Sequence, residues 1–100
     1  MKRPSQLTRL VWDFYRENPV ELKQLEVLRQ CRVFRFWGVF YIRCQTSAVA
    51  RHVIESEPEI EIPIQQLRLS KKIKVLVGRK SVATFVVGVD RSNSEVRERL

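Results

Sequence analysis

The fourteen residues from Cys31 to Cys44, CRVFRFWGVFYIRC, hold five aromatic rings and three arginines, with no acid among them. Aromatic and β-branched side chains flank Gly38 on both sides, and such residues suit a pleated, half-buried surface. The segment therefore reads as a β-hairpin. With Trp37 and Gly38 as the two turn residues, Phe36 opposes Val39, Arg35 opposes Phe40, Phe34 opposes Tyr41, Val33 opposes Ile42, Arg32 opposes Arg43 and Cys31 opposes Cys44. Tryptophan is a poor residue for positive φ, so the competing arrangement is a longer loop or bulge that shifts this register.

Alternation sorts the hairpin into two faces. Cys31, Val33, Phe40, Ile42 and Cys44 suit a core, while Arg32, Phe34, Phe36, Tyr41 and Arg43 share the other side. Rings mixed with guanidinium groups make a surface that can stack bases and neutralise phosphates. The alternative is that a helix covers Phe34, Phe36 and Tyr41, as it covers most aromatic sheet faces.

One hundred residues, 44% of them hydrophobic, make a single compact domain with no room for a second core. A net charge of +8 favours an anionic partner. Nucleic acid is the first candidate, with an acidic protein or a membrane surface next. The charge is also segregated along the chain. Residues 27–54 carry five arginines and no acid, and residues 63–89 carry six lysines or arginines and no acid. Acids gather instead at Asp13 to Glu26 and at Glu55 to Glu61. Two cysteines without an apolar leader point to a reducing, cytoplasmic setting in which both remain thiols, although Cys31 and Cys44 are placed to crosslink. No apolar run is long enough to span a membrane.

In chain order, Ser5 caps a first helix over residues 6–17, with Leu7, Leu10, Val11 and Phe14 at helical spacing and Trp12 and Tyr15 widening the buried face. Asn18, Pro19 and Glu21 then start a second helix that runs to Arg29. After the hairpin, Thr46 or Ser47 caps a third helix ending near Ser56. Its amides lie beside Arg43, and either phosphate or the capping hydroxyl itself satisfies them. Ile60, Ile62 and Ile64 alternate with polar residues as in an edge strand, with a helical turn over Ile64 to Leu69 as the other option. Pro58 and Pro63 argue against a long helix, and Glu55, Glu57, Glu59 and Glu61 read as a solvated rim. Lys72 to Val77, a turn at Gly78 to Ser81, and Val82 to Val89 form a second hairpin. The exposed last strand invites pairing between copies. The fold class is α+β: two N-terminal helices, a hairpin, a helix and a second hairpin, as a small sheet with helices packed on one face. Residues 1–90 form the domain and residues 91–100 a polar tail.

Catalytic apparatus is not visible. One histidine, His52, and two cysteines are too few for a closed zinc site, Gly78-Arg79-Lys80-Ser81 lacks the leading glycine and following helix of a phosphate loop, and no cofactor motif is present. The chain reads as a non-enzymatic, basic module that binds nucleic acid, single-stranded in preference. Arg32, Phe34, Arg35, Tyr41 and Arg43 are the candidate contacts, with Lys72, Lys74, Arg79 and Lys80 adding charge. The alternative is a protein-interaction adaptor, or a subunit of a larger complex, that uses the aromatic hairpin face.

The run VFYIRCQTSAVARHVI, Val39 to Ile54, followed by Lys72-Ile73-Lys74-Val75-Leu76-Val77-Gly78, resembles the strand, helix and strand of the KH-like N-terminal domain of the bacterial replication initiator DnaA. It is similar also to the related domain of the helicase loader DciA. That resemblance, over about forty residues, implies a KH-like fold and a small DNA-binding adaptor that contacts a helicase or regulator and touches single-stranded DNA feebly. The initiator's tryptophan ahead of its hairpin has no match here, and the strand after Gly78 is an addition.

Overall fold

The computed structural model describes residues 5–88. Helix α1 (Gln6–Phe14) leads into α2 (Pro19–Gln24) and a 3₁₀ segment, Leu25–Gln30. The hairpin β1 (Arg32–Phe36) and β2 (Val39–Cys44) follows, then α3 (Ser47–Glu55), α4 (Glu57–Gln66), β3 (Lys72–Val77) and β4 (Lys80–Val86). The four strands form one sheet in the order β1-β2-β3-β4. Both outer pairs are antiparallel hairpins, and β2 and β3 run parallel, because α3 and α4 carry the chain back between them. The architecture is α+β, with the helices on one side of the sheet. The strand end at Val89 and the tail at 91–100 lie outside the described residues.

Local chemistry explains the boundaries. Ser5 Oγ accepts the Thr8 amide at 3.2 Å and opens α1, and Thr46 Oγ1 accepts the Val49 amide at 3.2 Å and opens α3. Asn18 makes no such side-chain cap, and the second helix tightens to 3₁₀ at Leu25 instead of continuing as α to Arg29. The tightening seats Leu25, Val27 and Leu28 in the core. Trp12 and Tyr15 widen the buried face of α1 as expected; the indole N–H donates to the Leu25 carbonyl at 2.8 Å.

The largest departure from the sequence reading is α4. Residues 57–66 are helical, where Ile60, Ile62 and Ile64 suggested a strand. Its inner stripe is Glu57, Ile60, Glu61 and Ile64, spaced as a helix requires, so two of the glutamates assigned to a solvated rim are buried instead. Pro58 sits in the first turn, where proline is tolerated. Pro63 is interior and has no N–H for the Glu59 carbonyl. The Tyr15 hydroxyl supplies the missing donor, at 2.9 Å. Burial and the Glu59 and Glu21 carboxylates push the Tyr15 phenol above its ordinary pKa. Glu61 Oε2 accepts the Gly88 amide at 2.8 Å and fastens the chain leaving β4.

Helices and one face of the sheet share a single core. Val33, Phe40, Ile42, Cys44, Ile73 and Val75 supply the sheet's part of it; Val11, Leu28, Val53, Ile60 and Ile64 supply the helices' part. Among the described residues no helix is long and apolar enough to cross a membrane.

Candidate nucleic-acid interface

The first hairpin has the register read from its sequence, from Arg32 opposite Arg43 to Phe36 opposite Val39. Trp37 and Gly38 both take positive φ, 54° and 73°, as the tight right-twisting turn demands. Extending the register through β3 and β4 defines the face that points away from the helices. One row is Arg32, Arg43, Leu76 and Ser81; the next is Phe34, Tyr41, Lys74 and Thr84; the third is Phe36, Val39, Lys72 and Val86. Residues of one row share a face because strand partners do. Eleven of these twelve residues lie outside the core; the exception is Leu76, which is 8% exposed. Among the described residues the helices pack on the other side, and none covers Phe34, Phe36 and Tyr41.

The face is cationic and aromatic at once. Arg32, Arg43, Lys72 and Lys74 sit on it, and its three rows contain no acid. The Phe34 and Tyr41 rings stack nearly parallel, with centroids 5.0 Å apart and planes 13° from one another. The Arg43 guanidinium lies 5.5 Å from the Phe34 centroid, over the ring. Its Nε is buried and has no hydrogen-bond partner among the described residues. Phe34, Tyr41 and Arg43 are half-buried, Phe36 is 59% exposed, and Arg32 and Lys72 reach solvent. Ring faces fixed by mutual packing, with charged groups at their margins, can stack planar bases and neutralise the attached phosphates without ordering long side chains first.

Six of the nine sequence-derived contacts therefore share this surface: Arg32, Phe34, Tyr41, Arg43, Lys72 and Lys74. Arg35 does not. It pairs with the fully buried Phe40, so alternation puts it on the helix side, where it lines a cavity at the sheet end. Arg79 forms the two-residue β3–β4 turn with Gly78, which is tighter than the four-residue turn expected, and Lys80 opposes Val77 at the same end. Both are exposed and border the Arg32–Arg43 row without joining it. Trp37, Arg68 and Lys71, which line the cavity beside Arg35, were not among the nine sequence-derived contacts. A tryptophan placed at a turn instead of in a strand was the available signal.

The other sequence candidates are dispersed. Thr46 caps α3 with its own hydroxyl, His52 is exposed on α3 while Cys44 is buried, and no group of three metal-binding side chains occurs among the described residues. Cys31 and Cys44 stand as free thiols with their sulfurs 3.7 Å apart. The hydrogen bond from Cys31 holds the Cys44 thiol below its ordinary pKa, and the same contact, with burial, drives Cys31 up. No protein-family model, curated protein or solved structure matches the chain.

Proposed function

We propose that the domain binds single-stranded nucleic acid on the open face of its sheet, with Phe34 and Tyr41 stacking bases and Arg32, Arg43, Lys72 and Lys74 neutralising phosphates. One observation carries this reading: a stacked aromatic pair surrounded by four cations on a face that has no acid among the described residues and, Leu76 apart, contributes nothing to the core. A face that only had to be wet would gain from mixing both signs of charge. Sheet-surface recognition by stacked aromatics is sequence-tolerant, since every base offers a π-face. The resemblance to the initiator's KH-like domain brings the same partner class, with a replication protein as second partner. The clamp that KH domains close on a nucleic-acid backbone is a GXXG loop. The α3–α4 junction here reads Glu55-Ser56-Glu57-Pro58, acidic and without glycine. The sheet face, not that junction, is therefore the contact surface.

Fluorescence anisotropy of a labelled single-stranded oligonucleotide, titrated at several salt concentrations, tests the reading. Binding weakens with salt at a slope of about 0.7 per neutralised phosphate, and Tyr41→Ala and Arg43→Ala each weaken it roughly tenfold. Absence of binding at low salt removes the proposal and leaves the exposed Phe36 and Val86 as a protein-docking surface.

A further inference from the structure

The turn at Trp37 and Gly38 does more than reverse the chain. It borders a cavity of about 800 Å³, within the range of small-molecule sites. The opposite wall is the loop from Arg68 to Lys72. The two walls are fastened together: the Gly38 carbonyl accepts the Ser70 hydroxyl at 2.6 Å and the Lys71 amide at 3.3 Å. Four cations, Arg35, Arg68, Lys71 and Lys72, line the space, and among the described residues no carboxylate does. None of the four is in an ion pair among the described residues.

Trp37 stands at the rim of this cavity, 86% exposed. Its indole therefore contributes almost nothing to the core, and its φ of 54° is one that side chains larger than asparagine rarely adopt. Arg68, at φ 53°, is the other such residue among the described ones, and it lines the same cavity. Two strained, solvent-reaching side chains of complementary chemistry, one a flat π-surface and one a fork of donors, meet at one fastened loop pair. The hairpin turn requires the left-handed conformation at Trp37 and the end of α4 requires it at Arg68, and at both a large side chain stands where glycine or asparagine is usual.

We propose that this cavity is a binding site for a nucleoside 5′-phosphate, its base stacked on Trp37 and its phosphate held by Arg35, Arg68 and Lys71. Several converging cations fit a multiply charged phosphate better than a single carboxylate, and Arg forks grip phosphate oxygens in pairs. The exposed indole supplies a stacking surface for the base. The site joins the open sheet face through Val39 and Lys72, which lie in both. The ligand is either a free nucleotide or the phosphorylated end of a strand lying on the sheet.

Titration of the intact protein with ADP, followed by tryptophan fluorescence and by calorimetry, tests the site. The expected result is saturable quenching that Trp37→Phe abolishes. In calorimetry Arg68→Ala weakens ADP binding roughly tenfold, the loss of one charge-assisted hydrogen bond, while Arg9→Ala on the far helix changes nothing. Inorganic phosphate binding as tightly as ADP overturns the role of Trp37. Single-stranded oligonucleotides with and without a 5′-phosphate separate the two sources. A several-fold preference for the phosphorylated end identifies the strand terminus, and equal affinity together with ADP binding identifies a free nucleotide. Absence of both ADP binding and end preference overturns the proposal, and oligonucleotide binding on the sheet would then stand without it.

Discussion

Arg32 stands directly opposite Arg43 across the β1–β2 ladder, on a face whose rows contain no acid among the described residues. Like charges on opposed strand positions destabilise a sheet. Arg43 lies over Phe34, whereas Arg32 has no comparable contact among the described residues and is exposed. In the free protein the pair is a cost that an anion on this face would remove.

Replacement of Arg32 by threonine separates those two roles. Arg32→Thr stabilises the fold by roughly 0.2–1 kcal/mol in urea denaturation. The same change weakens oligonucleotide binding and lowers its salt slope by about 0.7, one phosphate contact. Loss of stability with unchanged binding would show that the arginine pair is structural.

The turn offers a second separation. Trp37→Asn keeps the left-handed conformation that asparagine tolerates and discards an indole that is almost wholly in solvent. Stability rises by about 1 kcal/mol, the relief of one strained non-glycine residue, while ADP quenching disappears. A destabilised variant would mean that the indole packs more than its exposure indicates.

Tyr15 and Pro63 form a pair that a double-mutant cycle can read. Tyr15→Phe leaves the Glu59 carbonyl without a donor and costs about 1 kcal/mol at neutral pH. In a Pro63→Ala background the new amide can serve that carbonyl, so the same change costs less. The phenol also sets an alkaline limit. Its folded pKa lies above the unfolded value of 10.0, so its contribution is intact below pH 10 and is lost as pH rises from there through the folded pKa. Denaturation followed from pH 9 to above 10 shows a fall that Tyr15→Phe lacks.

The thiols make an intramolecular prediction. Glutathione disulfide converts Cys31 and Cys44 to a disulfide, itself leaving as two glutathione thiols, because the sulfurs already touch at 3.7 Å and Cys44 ionises more readily than an ordinary thiol. Mass spectrometry registers a monomer lighter by two hydrogens, and thermal denaturation registers a gain of about 3 kcal/mol for the short closed loop. Covalent dimers in place of the internal bridge would contradict the geometry.

The hairpin was legible to the residue because its alternation and its Gly38 agree, and a one-residue slip would have put Phe40 and Ile42 in water. Ser5 was legible as a cap, and the cap of α3 was narrowed to Thr46 or Ser47, for a similar reason, a short polar side chain immediately before an apolar helical stripe. Helix α4 was not. Its isoleucines alternate as a strand's do, and its helical period emerges only if Glu57 and Glu61 are counted as buried, which runs against the usual fate of glutamate. Pro63 hid the helix further, since the donor that makes it tolerable, the Tyr15 hydroxyl just after α1, lies forty-four residues from the Glu59 carbonyl that it serves. The cationic aromatic face could be anticipated in its hairpin half. The Trp37 cavity could not, because it is assembled from β1, the first turn and the loop before β3.

Backbone amide NMR shifts of the labelled protein, recorded as a single-stranded oligonucleotide is added, test the central claim most directly. The account predicts shifts concentrated at Phe34, Tyr41, Arg43, Lys72 and Lys74, with the solvent faces of α1 and α3 unmoved. Shifts confined to the helices, or none at low salt, would contradict it.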